Sequence, residues 1–457
     1  MQYHEIIHQA LGKVLDKKPD YADLFFESSV SHDIHFEDGT MEEISSSVSE
    51  GTGARAMCGD MSAFVHAPTI EAGGAIRCLF EAARNLGCDV TDLYGDYIYT
   101  PYRIIETRPD LSPPRMDFMH NIDKDLRKRT GLIKQVSMRH SHSRRKIAIF
   151  RPDGRTASDV RDYSTFIVQV VVERNGLIQT GLESRAFSIS SALFWNQVDP
   201  LDVARKALSR AMTMIDANEC PAGTMPVVLE GQAGGTMIHE ACGHGLEADI
   251  IQKDYSVYRE KIGQIVASPV VTLVDDGNLP GYYGSYGCDD EGTPPERTIL
   301  IEQGVLKSFM TDYMTSRKGD LPLTGNGRRS SYRSMPIPRM SNTFILPGTT
   351  EPSDIIRKVE KGLLVRKMGG GEVNPTSGDF VFQVTEGYKI ENGQIIHPVR
   401  GAMLIGNGPE VLKDIIEIGN DLHFMPGVCG KAGQSVPVTD GQPTMLIRQM
   451  VVGGKEV

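Results

Sequence analysis

The chain has 457 residues, more than one ordinary hydrophobic core organises, so two or three domains are expected. Hydrophobic residues make up 40% and charged residues 23% of the chain, a balance that excludes disordered, collagen-like and membrane-embedded classes. The net charge of −11 disfavours nucleic acid as a direct partner, because an acidic surface repels the phosphate backbone.

The N-terminal residues predict a helix and not a targeting segment. Apolar residues recur at helical spacing between residues 6 and 15, and Pro19 ends the pattern. No basic start precedes an apolar core, so no signal peptide is expected, and no run of about 18 apolar residues predicts a transmembrane helix. The seven cysteines are scattered and odd in number, which in this context is typical of reduced thiols. We therefore expect a cytoplasmic protein.

Two-residue turns divide the first half into strands. Asp38-Gly39 and Asn175-Gly176 are typical of β-hairpins, and Asp153-Gly154 indicates a further turn. The residues around these turns predict strands at 23–29, 32–45, 147–150 and 166–181. The basic stretch 139–145 is interpreted as a solvated strand or loop face, with a nucleic-acid patch as the alternative.

Helical periodicity predicts three further helices in this half, at residues 69–86, 117–130 and 200–217. The proline-rich residues 100–115 lack periodicity and are interpreted as a linker or crossover. We place the main boundary near Cys220-Pro221, which divides the chain into domains at residues 1–218 and 219–457.

The second half is richer in glycine and in strand patterns. The Asn392-Gly393 pair predicts a hairpin. Helices are predicted at 233–248, at 353–362 with Ser353 as the N-cap and Gly362 as the stop, and at 409–418. Because the strands do not alternate regularly with helices, the chain is predicted to be α+β. We expect a two-domain subunit with a mixed N-terminal domain and a strand-rich C-terminal domain of long antiparallel sheets.

The sharpest local pattern is a pair of histidines with an adjacent glutamate, His239, Glu240 and His244. Zinc hydrolases combine imidazole or thiolate ligands with a carboxylate base beside the metal. The spacing is one residue longer than in His-Glu-x-x-His, so on a straight helix the histidines would diverge by roughly 140°. Both reach one metal only if the helix widens to a π-turn or breaks, which Gly243 and Gly245 would favour. The alternative is two unconnected histidines at the end of a buried helix.

A third ligand would strengthen the metal hypothesis, and Cys429 is the best candidate, since glycines near it would let the backbone approach a metal. The alternative for Cys429 is a small buried hydrophobic residue. Cys242 lies inside the motif, but its position two residues before His244 makes simultaneous ligation awkward. We interpret Cys242 as a packing residue.

Longer segments carry more information than these short patterns. In order, the second half contains HEACGHGLEAD, VDDGNLPGYYGSYGCDDEGTP, LTGNGRRSSY with PIPRMSNTFI, and GVCGKAGQSVPVTDGQPT. The first half contains HFEDGTMEEISSSVSEGTGARAM. Together these segments resemble the TldD/PmbA family of bacterial and archaeal metallopeptidases, once described as modulators of DNA gyrase. The resemblance extends over nearly the whole chain.

The resemblance implies one zinc ion (Zn2+) per subunit, held by His239, His244 and Cys429, with Glu240 as general base. It also implies subunits that pair around an internal chamber, and extended peptides that bind as an added strand. One subtype of the family keeps the metal motif and is catalytic, whereas the other has lost it and serves as a partner. This chain resembles the catalytic subtype. We expect a homodimer, with a heterodimer containing a motif-less paralogue as the rival.

Several other residues are weaker candidates for substrate binding. Asn326, Arg328 and Arg329 could hold a peptide carboxylate or backbone, or form a structural salt bridge. Gly370, within a glycine triplet, could let a substrate strand approach closely, or belong to a flexible turn. The acidic run 289–291 is interpreted as a solvated loop, with orientation of a ligand histidine as the alternative.

The function predicted from the sequence is zinc-dependent hydrolysis of unfolded or extended peptides. The alternative is a non-catalytic peptide-binding or regulatory subunit that modulates gyrase or a toxin–antitoxin system. Neither direct nucleic-acid binding nor membrane association is expected.

Overall fold

The computed structural model describes residues 2–93, 102–105, 116–374 and 376–454. It confirms the predicted α+β class, with strand-rich sheets in both halves of the chain. The proline-rich linker predicted at 100–115 falls almost entirely outside the described residues. All seven cysteines are free, in agreement with the prediction of reduced thiols. No helix within the described ranges is long and apolar enough to cross a membrane.

The first half is organised around one six-stranded antiparallel sheet in the order β3-β2-β1-β4-β5-β6. Its strands are β1 (Tyr21–Glu37), β2 (Thr40–Cys58), β3 (Met61–Ala67), β4 (Ile133–Phe150), β5 (Thr156–Arg174) and β6 (Leu177–Phe187). The hairpins predicted at Asp38-Gly39 and Asn175-Gly176 are confirmed, because both residues of each turn have positive φ. The strand predicted at 147–150 is the end of a much longer strand.

Helices cover one face of this sheet. They are α1 (Gln2–Leu15), α2 (Ala72–Asn85), α3 (Asp117–Arg129), α4 (Ser191–Gln197) and α5 (Pro200–Ile215). Side chains on β1 alternate between faces, so Leu24, Phe26, Ile34 and Phe36 all point toward the helices. α1 and α2 pack on one end of the long strands and α3 and α5 on the other end, which gives two separate cores. The predicted helices are confirmed, and within the part of this half that the structure describes, the short α4 was missed.

The second half contains two larger sheets. A mixed six-stranded sheet has the order β11-β10-β9-β14-β21-β20. In an eight-stranded sheet, seven strands have the order β15-β8-β22-β18-β16-β17-β7, and the eighth, β19, pairs with β22 outside this order. Because β15 also pairs with β16, five strands of the second sheet close into a ring around the C-terminal core. The strands are β7 (Asn218–Glu219), β8 (Gly223–Leu229), β9 (Leu273–Asp276), β10 (Arg297–Glu302), β11 (Val305–Leu306), β12 (Gly327–Arg328), β13 (Ile337–Pro338), β14 (Asn342–Ile345), β15 (Lys361–Val373), β16 (Asp379–Glu391), β17 (Gln394–Arg400), β18 (Met403–Asn407), β19 (Ile415–Ile418), β20 (His423–Lys431), β21 (Gln434–Gln442) and β22 (Met445–Gly453).

Two helix predictions in this half were wrong in extent. The helix predicted at 353–362 is Pro352–Arg357, with Glu351 and not Ser353 at the N-cap, and Gly362 lies in β15. The helix predicted at 409–418 is Gly408–Asp414, and its last predicted residues form β19. In both cases the apolar run beyond the helix pairs with a neighbouring strand, so tertiary pairing overrides local helical spacing. The hairpin at Asn392-Gly393 is confirmed.

The other face of the first sheet packs on the second half through a layer of buried charges. This ionic layer consists of Asp23, Glu27, Arg55, Arg145, Arg161, Asp290, Glu291 and Arg329. Arg55 donates from Nη1 to Glu291 Oε1 over 2.6 Å, and Arg161 donates from Nη1 to Asp290 Oδ1 over 2.9 Å. Each of these bonds joins the two halves of the chain. All eight side chains are buried.

The ionic layer corrects two sequence interpretations. The acidic run 289–291 is not a solvated loop, because its three residues are at most 2% exposed. The basic stretch 139–145 does form part of β4, but Arg145 is buried and bonds Glu27 across 3.1 Å. In both segments, opposite charges make burial tolerable: Arg55 and Arg161 contact the acidic run, and Glu27 and Asp290 contact Arg145. The domain boundary at residues 218/219 stays a prediction.

Candidate metal centre

The segment that carries the histidine motif is a sequence of three short helical turns. A single α-turn (Thr236–Ile238) leads into a π-turn (His239–Gly243), and a 3-10 turn (His244–Leu246) follows. His244 N–H donates to the carbonyl of His239, the i to i+5 bond that defines a π-turn. This is the wider turn that the histidine spacing requires. The two imidazole rings consequently lie 5.0 Å apart, centre to centre.

The glycines of the motif act through close packing. A Cβ atom on Gly243 would lie 2.1 Å from Met340 Sδ, and one on Gly245 would lie 2.9 Å from Tyr258 Cδ2. Both glycines therefore allow the turn to be pressed against the C-terminal core.

The structure brings the three predicted ligands together. The ligand atoms of His239, His244 and Cys429 all lie within 4.8 Å of one another, and Cys429 Sγ is 3.4 Å from His244 Nε2. Cys429 comes from β20, far away in sequence, and is buried together with His239. Two imidazoles and a thiolate are the donor set of catalytic zinc sites that keep one position open. The residues present therefore fit a zinc ion.

Carboxylates behind the histidines fix the orientation of both rings. His239 Nδ1 lies 2.7 Å from Asp440 Oδ1, and His244 Nδ1 lies 2.9 Å from Glu247 Oε2. Each carboxylate selects the tautomer that leaves Nε2 free to face the cluster, as in carboxylate–histidine–zinc arrangements. Lys431 balances the buried Glu247, with Nζ 3.0 Å from Oε2.

Sequence reasoning missed these supporting residues. Glu247 follows His244 by one turn, which was an available signal. Asp440 is 201 residues from its histidine, and nothing in its local sequence marks it. Lys431 lies two residues after Cys429 and was likewise unmarked.

The cluster strongly perturbs its own protonation. Burial raises the pKa of the Cys429 thiol, but hydrogen bonds with His239 and His244 outweigh that effect and lower the pKa to about 6. Burial lowers the pKa of His244, but the charge of Glu247, followed by the bond with Cys429, raises it to about 9. The lowered pKa of Cys429 favours its thiolate, which is the form that binds a metal.

Glu240 lies where the cluster meets open space. Its Oε2 is 3.9 Å from His244 Nε2, and its side chain is 29% exposed. Glu240 and His244 line an open cavity of about 400 Å³, together with Glu372 and Lys431. The carboxylate can therefore contact both a ligand at the cluster and a molecule entering the cavity.

The weaker sequence candidates lie elsewhere. Asn326, Arg328 and Arg329 are at most 2% exposed, and their contacts are internal. Asn326 Nδ2 donates to Asp275 Oδ2 over 2.8 Å, and Arg328 Nη2 donates to the carbonyl of Pro437 over 2.7 Å. Arg329 belongs to the ionic layer. These contacts fit the alternative interpretation, in which the three residues have a structural role and do not bind substrate.

Two further candidates have clear positions. Gly370 lies in β15, and a Cβ there would meet no atom within 4 Å. It lines a second cavity, whereas its neighbours Glu372 and Val373 line the cavity at the cluster. Cys242 donates from Sγ to the carbonyl of Ile238 over 2.9 Å, and burial raises its pKa to about 12. Both features fit its interpretation as a packing residue.

Known proteins resemble this chain along its length. Three family models match it: PmbA/TldA metallopeptidase domain 1 at residues 22–86, the central domain at 110–215 and the C-terminal domain at 222–454. A metalloprotease TldD homologue of Haemophilus influenzae is 36% identical over 449 residues, 95% of this chain and 93% of the relative. A metalloprotease of Methanocaldococcus jannaschii is 32% identical over 92% of this chain and 94% of the relative.

Solved structures share the fold. A protein of Thermotoga maritima described as a modulator of a DNA gyrase superposes with a TM-score of 0.77 at 20% identity, over 99% of this chain and 100% of the other. TldE of Thermococcus kodakarensis superposes with a TM-score of 0.75 at 17% identity, over 98% and 100% of the two chains. The family models and the sequence relatives confirm the resemblance that the sequence segments indicated. The chain belongs to the PmbA/TldA metallopeptidase family.

Proposed function

We propose that this protein is a zinc-dependent peptidase that hydrolyses extended or unfolded peptides. The observation that carries the proposal is the convergence of His239, His244 and Cys429 within 4.8 Å, beside Glu240 and an open cavity. Relatives named as metalloproteases support it, among them a zinc metalloprotease TldD homologue of Saccharolobus solfataricus, which is 27% identical over 84% of this chain and 90% of its own length.

Zinc held by these three residues would supply Lewis-acid activation of water and of the scissile carbonyl. Glu240 acts as general base, taking the proton of the attacking water and delivering it to the departing amine. Asp440 and Glu247 hold the imidazole rings in place throughout, because each accepts a hydrogen bond at Nδ1. Lys431 keeps the charge of Glu247 compensated in its buried position.

The strand β15 supports an extended substrate. Its pairing with β8 begins at Leu363 and ends at Val365. In the described residues, its continuation at 366–373 pairs with a strand on one side alone, which is β16. An unpaired strand edge can accept a peptide as an added strand. That edge runs past the glycine triplet toward Glu372 and Val373, which line the cavity at the cluster.

The assembly we propose is a dimer in the cytoplasm. A complete ligand set within one chain supports a homodimer, because no ligand is needed from elsewhere. A heterodimer with a motif-less paralogue is the alternative, and a non-catalytic regulatory subunit would have no need of the complete set. Light scattering on the pure protein distinguishes monomer from dimer, and addition of a paralogue tests whether activity requires it.

Glu240→Gln tests the proposed chemistry. Glutamine preserves size but cannot accept the proton, so we expect peptide hydrolysis to fall about 10²- to 10⁴-fold while zinc stays stoichiometric. Cys429→Ser is the matched control, since it removes a ligand and should lose zinc and activity together. Both variants are assayed on an unstructured peptide. Wild-type turnover by Glu240→Gln would eliminate Glu240 as the base.

A further inference from the structure

A second, larger cavity lies between the two halves of the chain. It has a volume of about 780 Å³ and shares no lining residue with the cavity at the cluster. Its walls come from β6 and α5 in the first half and from β15 and β16 in the second. Three methionines, Met214, Met368 and Met425, provide an apolar part of the wall.

Lys367 is the unusual residue of this cavity. Its Nζ contacts Met425 Sδ at 3.2 Å, and no carboxylate oxygen among the described residues lies within 4.0 Å of it. An ammonium group has three donors, whereas a thioether is a weak acceptor. A half-buried ammonium without a strong acceptor is unfavourable, so the position is better suited to a state in which an anion is bound.

The nearby carboxylates are already committed to arginines. Arg210 donates to Glu183 Oε2 and to Glu386 Oε2, each over 2.9 Å. Arg400 binds Glu219 over 2.6 Å. These carboxylates are therefore already bonded to arginines, and Lys367 has no direct bond to a carboxylate among the described residues.

Electrostatics at Lys367 agree with this contact pattern. Burial lowers the pKa of Lys367, and the positive charges of Arg210 and Arg185 add to this effect against the opposing charge of Glu183, so the pKa is about 8. An anion bound at Nζ would offset the cost of burial and the repulsion by the arginines, because it would add a contacting negative charge to the more distant charge of Glu183.

The cavity and the cluster are connected by shared elements. Met425 and Cys429 point to the same face of β20, and four residues of strand separate them by about 13 Å. Met425 lies opposite Asp440 in the register with β21, next to the carboxylate that orients His239. Thr236 lines the cavity and lies one turn before His239. A group bound at Lys367 is thus about four extended residues from the cluster.

We propose that this cavity binds the C-terminal carboxylate of a peptide at Lys367, with the adjoining apolar side chain against the methionines. The proposal rests on the proposed peptidase function and adds a specificity to it. Methionine side chains adapt to varied shapes, so the cavity should select more strictly for the terminal carboxylate than for the type of side chain beside it. A peptide anchored in this way would present a bond about four residues from its C-terminus to the cluster.

Binding measurements on full-length Glu240→Gln protein test the proposal without cleavage. The probes are an unstructured eight-residue peptide with a free C-terminal carboxylate, its C-terminal amide, and the amide with glutamate as its penultimate residue. We expect the free acid to bind about tenfold more tightly than the amide, the effect of one partly buried charged contact. Adding Lys367→Met should remove the difference, and Lys367→Arg should retain most of it.

Lys361→Met is the matched control, because Lys361 is exposed on the same strand and outside the cavity. It should leave the preference unchanged. Unaltered binding of the amide by Lys367→Met would verify that the variant is folded. Equal binding of acid and amide, or a preference that survives Lys367→Met, would overturn the proposal. Recovery of tight binding by the glutamate-containing amide would assign the site to acidic side chains and reject the C-terminal assignment.

The two proposals fail separately. If wild-type protein with zinc cleaves peptides but Glu240→Gln binds acid and amide equally, the carboxylate site is lost and the peptidase remains. If the acid preference depends on Lys367 but no peptide is cleaved, the carboxylate site remains and the peptidase is lost.

Discussion

The chain buries two clusters of polar residues that differ in one respect. In the ionic layer, acids and arginines meet directly, as Arg55 does with Glu291 and Arg161 with Asp290. At the candidate metal centre, the carboxylates contact the far side of the histidine rings, at Nδ1. The three ligand atoms on the near side converge to within 4.8 Å of one another. Complementary charges that close on one another hold two halves of a fold together. Ligand atoms that converge beside an open cavity create a candidate site for a metal ion.

The largest effect should come from breaking the ionic layer. Arg55→Met would leave Asp23 and Glu291 buried without their cation, which typically costs about 3–5 kcal/mol of stability. Urea unfolding followed by the fluorescence of Trp195, the single tryptophan, measures the loss. A loss of stability below about 1 kcal/mol would show that Arg55 contributes no more than an exposed surface charge.

A smaller effect is expected when the support behind the metal centre is weakened. Asp440→Asn keeps the size of the side chain but removes the charge that orients His239, so zinc affinity should fall about 10- to 100-fold. Competition with a chromophoric chelator measures the affinity. Asp254→Asn is the control, because Asp254 is an exposed carboxylate in the same half of the chain. Unchanged affinity in Asp440→Asn would show that the carboxylate is dispensable.

Asp312 is a buried carboxyl that is influenced by the charge of Glu291 in the ionic layer, and it should make the stability of the fold depend on pH. Burial, followed by the charge of Glu291, raises the pKa of Asp312 from 3.8 to about 7. The folded state therefore holds a proton that the unfolded chain releases between about pH 4 and 7, and stability from this group is lost as the pH rises through that window.

Asp312→Asn should remove this pH dependence. The variant should match the wild type near pH 4 and exceed it at pH 8. Unfolding midpoints across this range test the prediction. Asp312 caps the N-terminus of a helix, Tyr313–Gly319, and Asp320 is the exposed residue at its C-terminal end. Asp320→Asn should therefore leave the pH dependence as it is. A wild-type pH profile in Asp312→Asn would contradict the assignment.

The smallest effect should come from an exposed ion pair at the same junction. Arg317 binds Asp20 through two bonds of 2.7 Å, but both side chains are more than one-third exposed. Solvent screening limits such pairs to about 0–1 kcal/mol, so Arg317→Met should scarcely move the unfolding transition. A loss comparable to that of Arg55→Met would mean that burial does not decide the strength of these bonds.

Local sequence was sufficient where a few neighbouring residues decide the conformation. Positive φ at Asp38-Gly39 and Asn175-Gly176 needs only those residue types, and both hairpins were predicted correctly. Helical spacing identified α1, α2, α3 and α5. The same reasoning was wrong where an apolar run had a strand partner elsewhere, as at β19, because a local pattern does not identify that partner.

The sequence by itself determined the motif, the need for a widened or broken helix, and the family, because these depend on spacing and on long ordered segments. Only the tertiary structure decided that Cys429 meets the two histidines, and that Asp440 and Glu247 orient them. It also decided that the acidic run 289–291 is buried against arginines. The physical reason is that charge burial depends on partners far away along the chain, and sequence spacing carries no record of those contacts.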